Sequence, residues 1–250
     1  MPRHDFRSPR LFVDAAIGPA ARIALDKAQT NYLVNVLRLK PGATILIFNG
    51  RDGEWKAQIE AEGRRAVTLV ASTCARPQPP QTDLHYLFAP LKHARLDYMV
   101  QKAVELGASV LQPVITQHTV AERVNLARMR ANVIEAAEQC GILALPTVQE
   151  PLSFAKMIAE WDPGRRLVFC DEAAEVADPI AALTGAAAAK NPPMAVLIGP
   201  EGGFAEHERA ALLRLPNSVT LSLGPRILRA DTAAVAALTL VQAAVGDWRG

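Results

Sequence analysis

The chain has 250 residues, half of them hydrophobic and 21% charged, with a net charge of +2. That is enough apolar material for a sizeable core and too little charge for a disordered chain. No apolar stretch reaches the roughly 18 residues of a membrane span, and Met1-Pro2-Arg3-His4-Asp5 leads into no signal-peptide run, which reads as a soluble cytoplasmic protein.

In chain order, Leu11-Phe12-Val13 reads as a short strand and Lys27 to Leu37 as a helical piece ending near Pro41-Gly42. Thr44 to Phe48 is a second apolar run, followed by the turn signal Asn49-Gly50. Glu54 to Ile59 alternates polar and apolar residues, and Ala66 to Val70 closes the series. Short strands with tight turns over residues 1–75 predict a small β-barrel domain. A stiff connector follows at residues 75–82, where three prolines fall in four positions, Pro77, Pro79 and Pro80.

Residues 76–250 form the second predicted domain. Leu84 to Phe88 reads as a strand. Leu96, Met99, Val100, Ala103 and Val104 have helical spacing that stops at Gly107. Val110 to Ile115 predicts a strand around Pro113, and Met129 to Cys140 a helix. Arg166 to Cys170 and Ala195 to Ile198 read as buried strands. Ala205 to Leu213 is helical, with Glu206 and Glu208 in its first turn where the helix dipole favours acids. After the strand Val219 to Leu223, Asp231 is expected to cap a long apolar helix running to Gly246. The Ala186–Ala189 run belongs to a helix or loop of no evident function. The alternation argues for an α/β domain with a mainly parallel sheet.

Charge is uneven. Residues 1–80 carry 12 Lys+Arg against 7 Asp+Glu, and residues 81–250 carry 15 against 18. A basic first segment suits contact with nucleic-acid phosphates, though small domains also differ by a few charges without function. Cys74, Cys140 and Cys170 are far apart and include no Cys-x-x-Cys pair, so they are expected to be buried structural thiols. The five histidines are scattered, and His207-Glu208 lacks the second His of a zinc-protease helix, so no metal is expected.

In open α/β sheets ligands bind at the carboxyl ends of strands. Three such ends stand out: Cys170-Asp171-Glu172, Ile198-Gly199-Pro200-Glu201-Gly202-Gly203-Phe204, and Leu223-Gly224-Pro225-Arg226-Ile227-Leu228-Arg229. The second is neither a Gly-x-Gly-x-x-Gly loop nor a P-loop. Glu201 within it would repel a diphosphate, but it would accept hydrogen bonds from ribose hydroxyls or favour a cation. S-adenosylmethionine offers both a ribose and a sulfonium, with no phosphate; a structural turn closed by a capping Glu is the open alternative. In the third, apolar Ile227 and Leu228 suit an adenine ring. Arg226 and Arg229 suit a phosphate or a developing negative charge, or else a salt bridge with Asp231 or Glu201. Lys92 and Arg95 at the start of the helix before Gly107 oppose its dipole, a cost that an anionic partner offsets; an exposed solvated turn explains them equally. Arg10, Arg38 and Lys40 are the phosphate-contact candidates of the first domain, and Arg64-Arg65 reads as a solvated turn.

Together the second and third loops resemble the 16S ribosomal RNA (uracil-N3) methyltransferase family. Asn35-Val36-Leu37-Arg38-Leu39-Lys40-Pro41-Gly42, Gln101 to Gly107 and Glu135 to Cys140 are similar to further motifs of that family, in the same order. The resemblance implies a SPOUT-type fold: a PUA-like RNA-binding barrel, then an α/β domain whose end forms a trefoil knot. It also implies a homodimer, 16S rRNA or the small subunit as partner, and S-adenosylmethionine bound by Phe169–Glu172, Ile198–Gly203 and Leu223–Arg229. Arg229 would stabilise the uracil anion, and Glu201 would orient the cofactor or relay the proton. The run Ile142 to Pro146 lacks a basic residue usual in that family. A related knotted enzyme acting on tRNA or another rRNA position, and a non-catalytic RNA-binding assembly factor, stay open as alternatives.

Overall fold

The computed structural model describes residues 5, 7–62, 66–92, 94–121, 123–174, 178–185 and 192–249. His93, Arg64-Arg65 and the Ala186–Ala189 run therefore lie outside the described residues. The chain divides into two units, Met1–Pro80 with Ala137–Leu145, and Gln81–Ala136 with Pro146–Gly250.

The first unit is built on β1 (Arg10–Phe12), β2 (Arg22–Ala24), α1 (Lys27–Asn31), β3 (Thr44–Phe48), β4 (Glu54–Glu62) and β5 (Ala66–Arg76). Asp26 starts α1 through a capping box with Gln29, and the helix continues as a π turn over Tyr32–Val36. The strands form one curled sheet in the order β1-β3-β4-β5-β2, with β1 parallel to β3 and the other pairs antiparallel. Alternate residues face its core, including Ile45 and Ile47 of β3, Ile59 of β4 and Leu69 of β5. On the opposite face of β3, Phe48 packs with Ala137 and Leu143. Gly53 is required before β4: its φ is +82°, and a Cβ there would lie 2.4 Å from the Arg76 carbonyl oxygen.

A buried ion triad ties this sheet together. Glu54 Oε1 accepts from Arg10 Nε at 2.9 Å and from an Arg76 terminal nitrogen at 2.8 Å, and its Oε2 accepts from Arg76 Nε at 2.8 Å. The side chains of Arg10 and Glu54 are 4% and 2% exposed. Burial raises the Glu54 carboxyl's pKa, but the hydrogen bonds and charges of Arg76 and Arg10 outweigh it and hold the group below its ordinary value. Arg10 also donates to the Asp5 carbonyl. This corrects the expectation that Arg10 contacts RNA phosphate, because its guanidinium is out of solvent and already holds a carboxylate.

The second unit carries β6 (Leu84–Phe88), α2 (Ala94–Glu105), β7 (Val110–Ile115), α3 (Leu126–Cys140, up to Ala136), β8 (Thr147–Val148), β9 (Leu152–Ser153), α4 (Phe154–Ala159), β10 (Arg166–Cys170), α5 (Pro179–Thr184), β11 (Met194–Ile198), α6 (Glu206–Arg214), β12 (Ser218–Leu221) and α7 (Ala230–Ala244). The strand order is β12-β10-β11-β6-β7-β8, with β9 also on β7, and every pairing is parallel. The central strands are buried on both faces, which is why β11 is apolar at every position. Leu167, Phe169, Ala195 and Leu197 face α4 and α6. The other face is covered by α7, whose buried Ala233, Ala234, Ala237, Leu238 and Val241 recur at helical spacing and leave room for close packing on α2. Among the described residues no helix is long and apolar enough to cross a membrane.

Several expectations need correction. α2 begins at Ala94, so Lys92 lies in the loop before it. Arg229, not Asp231, is the N-cap of α7; among the described residues the Asp231 carboxylate accepts from the adjacent Thr232 N–H alone. Cys74 and Cys140 are exposed rather than buried, and only the Cys170 thiol is sequestered. The edge elements β2, β8, β9, α4 and α5 are too short for their periodicity to announce them.

Candidate functional site

Because every strand of the large sheet runs the same way, all its carboxyl ends open on one rim. The loops after β10, β11 and β12 converge there around a cavity of about 480 Å³. Its lining includes Cys170, Asp171 and Glu172 from the first loop, and Ile198, Gly199, Pro200, Glu201, Gly203 and Phe204 from the second. Leu223, Gly224, Pro225, Arg226, Ile227, Leu228 and Arg229 come from the third. Two of the expected cofactor contacts sit elsewhere. Phe169 points to the opposite face of β10, where it is fully buried and meets the Phe204 ring edge-on at 6.4 Å. Gly202 does not line the cavity; a Cβ there would lie 3.4 Å from His118 Cβ.

The three carboxylates of the rim have different fates. Asp171 is buried and receives Arg209 Nε at 2.6 Å and the Ala173 N–H at 3.0 Å. It is therefore an anchor for its own loop. Glu172 is exposed beside Gly203, whose φ of +69° would strain a larger residue and whose added Cβ, 3.0 Å from Glu172 Oε1, would press that carboxylate aside. Glu201 is half exposed and pairs loosely with Arg95, at 3.4 Å. Burial pushes the Cys170 thiol up to about 12, so this sulfur at the cavity wall stays protonated at neutral pH.

Arg226 and Arg229 are exposed and have no side-chain partner among the described residues. The salt bridges open to them in the sequence do not form: Glu201 turns to Arg95, and Asp231 stays with Thr232. Arg229 stands at the amino end of the 15-residue α7, where the helix's free N–H groups add to its positive potential. Of the remaining phosphate-contact candidates, Arg38, Lys40 and Lys92 are exposed with no side-chain partner among the described residues, whereas Arg95 is committed to Glu201.

Sequence reasoning did not find Arg209, whose position in the first turn of α6 carries no motif, although it lines the cavity and holds Asp171. It also passed over Glu208 as a mere dipole acid. Glu208 is 2% exposed and clamps two loops: its Oε1 accepts from the Gln117 N–H at 2.9 Å and its Oε2 from the Ala205 N–H at 3.0 Å. His118, in the loop after β7, was missed as well, though a strand's carboxyl end was the available signal. No group of three or more metal-ligating side chains comes together among the described residues.

A cavity fed by three strand ends, two of them glycine-containing, with Glu172, unpaired among the described residues, and the loosely paired Glu201 on one side and the free guanidinium groups of Arg226 and Arg229 on another, fits a ligand bearing hydroxyls and positive charge together with an acceptor that becomes anionic. The chain is similar to known RNA methyltransferases. The RNA methyltransferase domain matches residues 77–242, and the RNA methyltransferase PUA domain residues 25–72. A ribosomal RNA small subunit methyltransferase E of Mycobacterium bovis is 30% identical, over 95% of this chain and 92% of its own. The enzyme of that name from Rickettsia conorii is 27% identical over 93% and 94%. A Legionella pneumophila methyltransferase, solved in complex with the bound cofactor SAM, is 26% identical, with a TM-score of 0.81 over 95% of this chain and 98% of that one.

Proposed function

From a chain that belongs to the RNA methyltransferase family, we infer an enzyme that transfers the methyl group of S-adenosylmethionine to N3 of a uridine in small-subunit (16S) ribosomal RNA. The observation that carries this reading is the cavity at the rim: it combines carboxylates without a phosphate cradle on one side and unpaired arginines on the other. Its volume of about 480 Å³ is that of an ordinary small-molecule site. Glu172 and Glu201 are the carboxylates available to ribose hydroxyls and to the positive sulfonium. Main-chain groups of Leu223 to Leu228, with the Ile227 and Leu228 side chains, suit the adenine. Phe169 acts only from behind, by packing Phe204 against the loop.

Bound in this cavity, S-adenosylmethionine supplies an electrophilic methyl carbon. The chain's own task is to hold the uracil in line with that carbon and to make its nitrogen nucleophilic. N3 of uracil is protonated at neutral pH, and once the proton leaves, charge spreads onto O2 and O4. Arg229, at the amino end of α7 and free of a partner, is placed to stabilise that charge. Glu201 is better suited to the cofactor than to the proton, since it is drawn toward Arg95.

The same reading includes the features that the family implies. The knot formed by the last loops is supported by their convergence on one cavity. A homodimer is supported by large apolar side chains left exposed in the second unit, Val120 at 64% and Trp248 at 56% among them. Phosphate contacts fall to Arg38, Lys40 and Lys92, and the site of action is the cytoplasm, where ribosomes are assembled.

The test is Arg229→Ala, measured with small subunits lacking the modification. Turnover should fall by about 10² to 10³, while calorimetry shows S-adenosylmethionine bound as tightly as in the wild type. Near-normal turnover would remove Arg229 from the mechanism. A methyl group mapped by mass spectrometry to any position other than uridine N3, or to tRNA, would overturn the assignment of product.

A further inference from the structure

The mechanism leaves the N3 proton without an acceptor, and an imidazole stands directly behind the Gly203 wall of the cavity. His118 follows β7, so it reaches the same rim as the cavity loops. Its Nδ1 lies 3.1 Å from the carbonyl oxygen of Gly203, a residue of the cavity lining. A carbonyl oxygen can only accept, so Nδ1 carries the hydrogen and, in the neutral ring, Nε2 carries the lone pair. The hydrogen bond thus selects the tautomer and aims the basic nitrogen away from the loop, on an exposed side chain that a base can approach.

Residues 116–119, which carry His118, are pinned by hydrogen bonds. The Thr116 N–H donates to Thr119 Oγ1 at 2.9 Å, and the Gln117 N–H donates to Glu208 Oε1, also at 2.9 Å. Glu208 in turn holds the Ala205 N–H at the end of the glycine loop. One buried carboxylate therefore fixes both the loop that presents the imidazole and the loop that lines the cavity. Such pre-organisation is what proton transfer at short range requires.

The other groups at the rim have other duties. Asp171 is bound by Arg209, Cys170 stays protonated, Glu201 is engaged by Arg95, and Glu172, the rim carboxylate without an arginine, is the one read above as serving the ribose hydroxyls and the sulfonium. Arg226 and Arg229 have no basic lone pair to offer.

We propose that His118 is a catalytic residue of this enzyme, the general base that removes the N3 proton through Nε2; the proposal rests on the uridine-N3 reading given above. The N3 proton passes to Nε2, and the electron pair it leaves forms the nitrogen–methyl bond. The pair of the broken carbon–sulfur bond stays on sulfur as a neutral thioether, and the imidazolium returns its proton to solvent. No oxidant or reductant is needed.

The first test needs neither cofactor nor substrate. Nitrogen-15 NMR of the histidines in the free protein should show His118 with hydrogen on Nδ1, and the opposite tautomer would overturn the proposal. The second test is His118→Asn, whose side-chain N–H can still donate to the Gly203 carbonyl while the second ring nitrogen is gone. Cofactor affinity by calorimetry should match the wild type, and turnover on unmodified small subunits should fall about 10²-fold or more. Imidazole added to His118→Ala should restore part of the rate. Substrate carrying 5-fluorouridine, whose N3–H is more acidic, should shrink the deficit of both variants. A His118→Asn enzyme with wild-type turnover would show the ring to be a tether and overturn the base. The wild-type product separates the two ideas: with N3-methyluridine formed, an active His118→Asn sinks the base alone, and a wild type that methylates another atom sinks the function and the base with it.

Discussion

Removing the Glu54 carboxylate tests the account of the first unit most severely. Three charge-assisted hydrogen bonds, of 2.8 to 2.9 Å, end on its two oxygens. Arg10 is almost wholly out of solvent and would keep only the Asp5 carbonyl. Arg76 is 20% exposed and keeps the Gly141 carbonyl at 2.9 Å, so water can rehydrate part of it. Charge-assisted bonds are worth roughly 1.5–3 kcal/mol each, but the rehydration of Arg76 returns part of that sum. The expected loss for Glu54→Ala is therefore about 3–5 kcal/mol, the range for leaving a buried charge unpaired. Against a total stability of about 5–15 kcal/mol, that is a large fraction. The assay is urea unfolding read by hydrogen exchange of peptides from β3, β4 and β5, which reports this unit alone. The pH dependence has a definite sign. Glu54's carboxyl is held below its ordinary value in the folded state, so its stabilisation is complete above the unfolded pKa of about 4.3. It drains away as pH falls through the lower folded value. Glu54→Gln should flatten that part of the curve. A loss under about 1 kcal/mol for Glu54→Ala at pH 7, far below the cost of stranding a buried charge, would refute the triad as the element that fixes Arg10. Arg10→Ala would then have to be re-examined as an RNA contact. As things stand, it should lower stability without lowering the salt dependence of RNA binding.

Gly203→Ala forces a Cβ into left-handed backbone, at about 1–2 kcal/mol, and pushes on Glu172, so S-adenosylmethionine should bind about tenfold more weakly by calorimetry; unchanged affinity would detach this loop from the cofactor. At pH 8, iodoacetamide should label exposed Cys74 while sparing Cys170, whose thiol near 12 is ionised in only about one molecule in ten thousand. Equal labelling of the two before urea is added would contradict the buried wall of the cavity. Glu208→Ala strips the buried Ala205 N–H and the part-buried Gln117 N–H of their acceptor and should cost about 1–3 kcal/mol, with faster hydrogen exchange at both 116–119 and 203–206. Protection lost at only one of these segments would mean that they are not held in common.

The sequence reveals most where a side chain's burial repeats with the period of its element. β11 is apolar throughout, and β10 is so after Arg166, because helices cover both faces of their sheet, and α7 declares itself by alanines at helical spacing. The order of strands is another matter. β11 inserts between β6 and β10, and no local pattern encodes which neighbour a buried strand will choose. The short edge strands β8 and β9 owe their existence to β7, with too few residues of their own to carry a signal.

For the site, residue type located the loops but not the duties within them. Arg10 and Arg229 look alike in sequence, each a lone arginine beside apolar residues. What separates them is a carboxylate forty-four positions away in one case and its absence in the other. The three acids of the rim likewise differ only in which arginine reaches them: Arg209 takes Asp171, Arg95 draws on Glu201, and Glu172 is left beside a glycine. Every one of those pairings spans a long stretch of chain. Function at the rim is therefore decided by subtraction: tertiary contacts engage Asp171, Arg209 and Arg95, and the chemistry falls to the cavity groups left without a partner among the described residues, Arg229 above all.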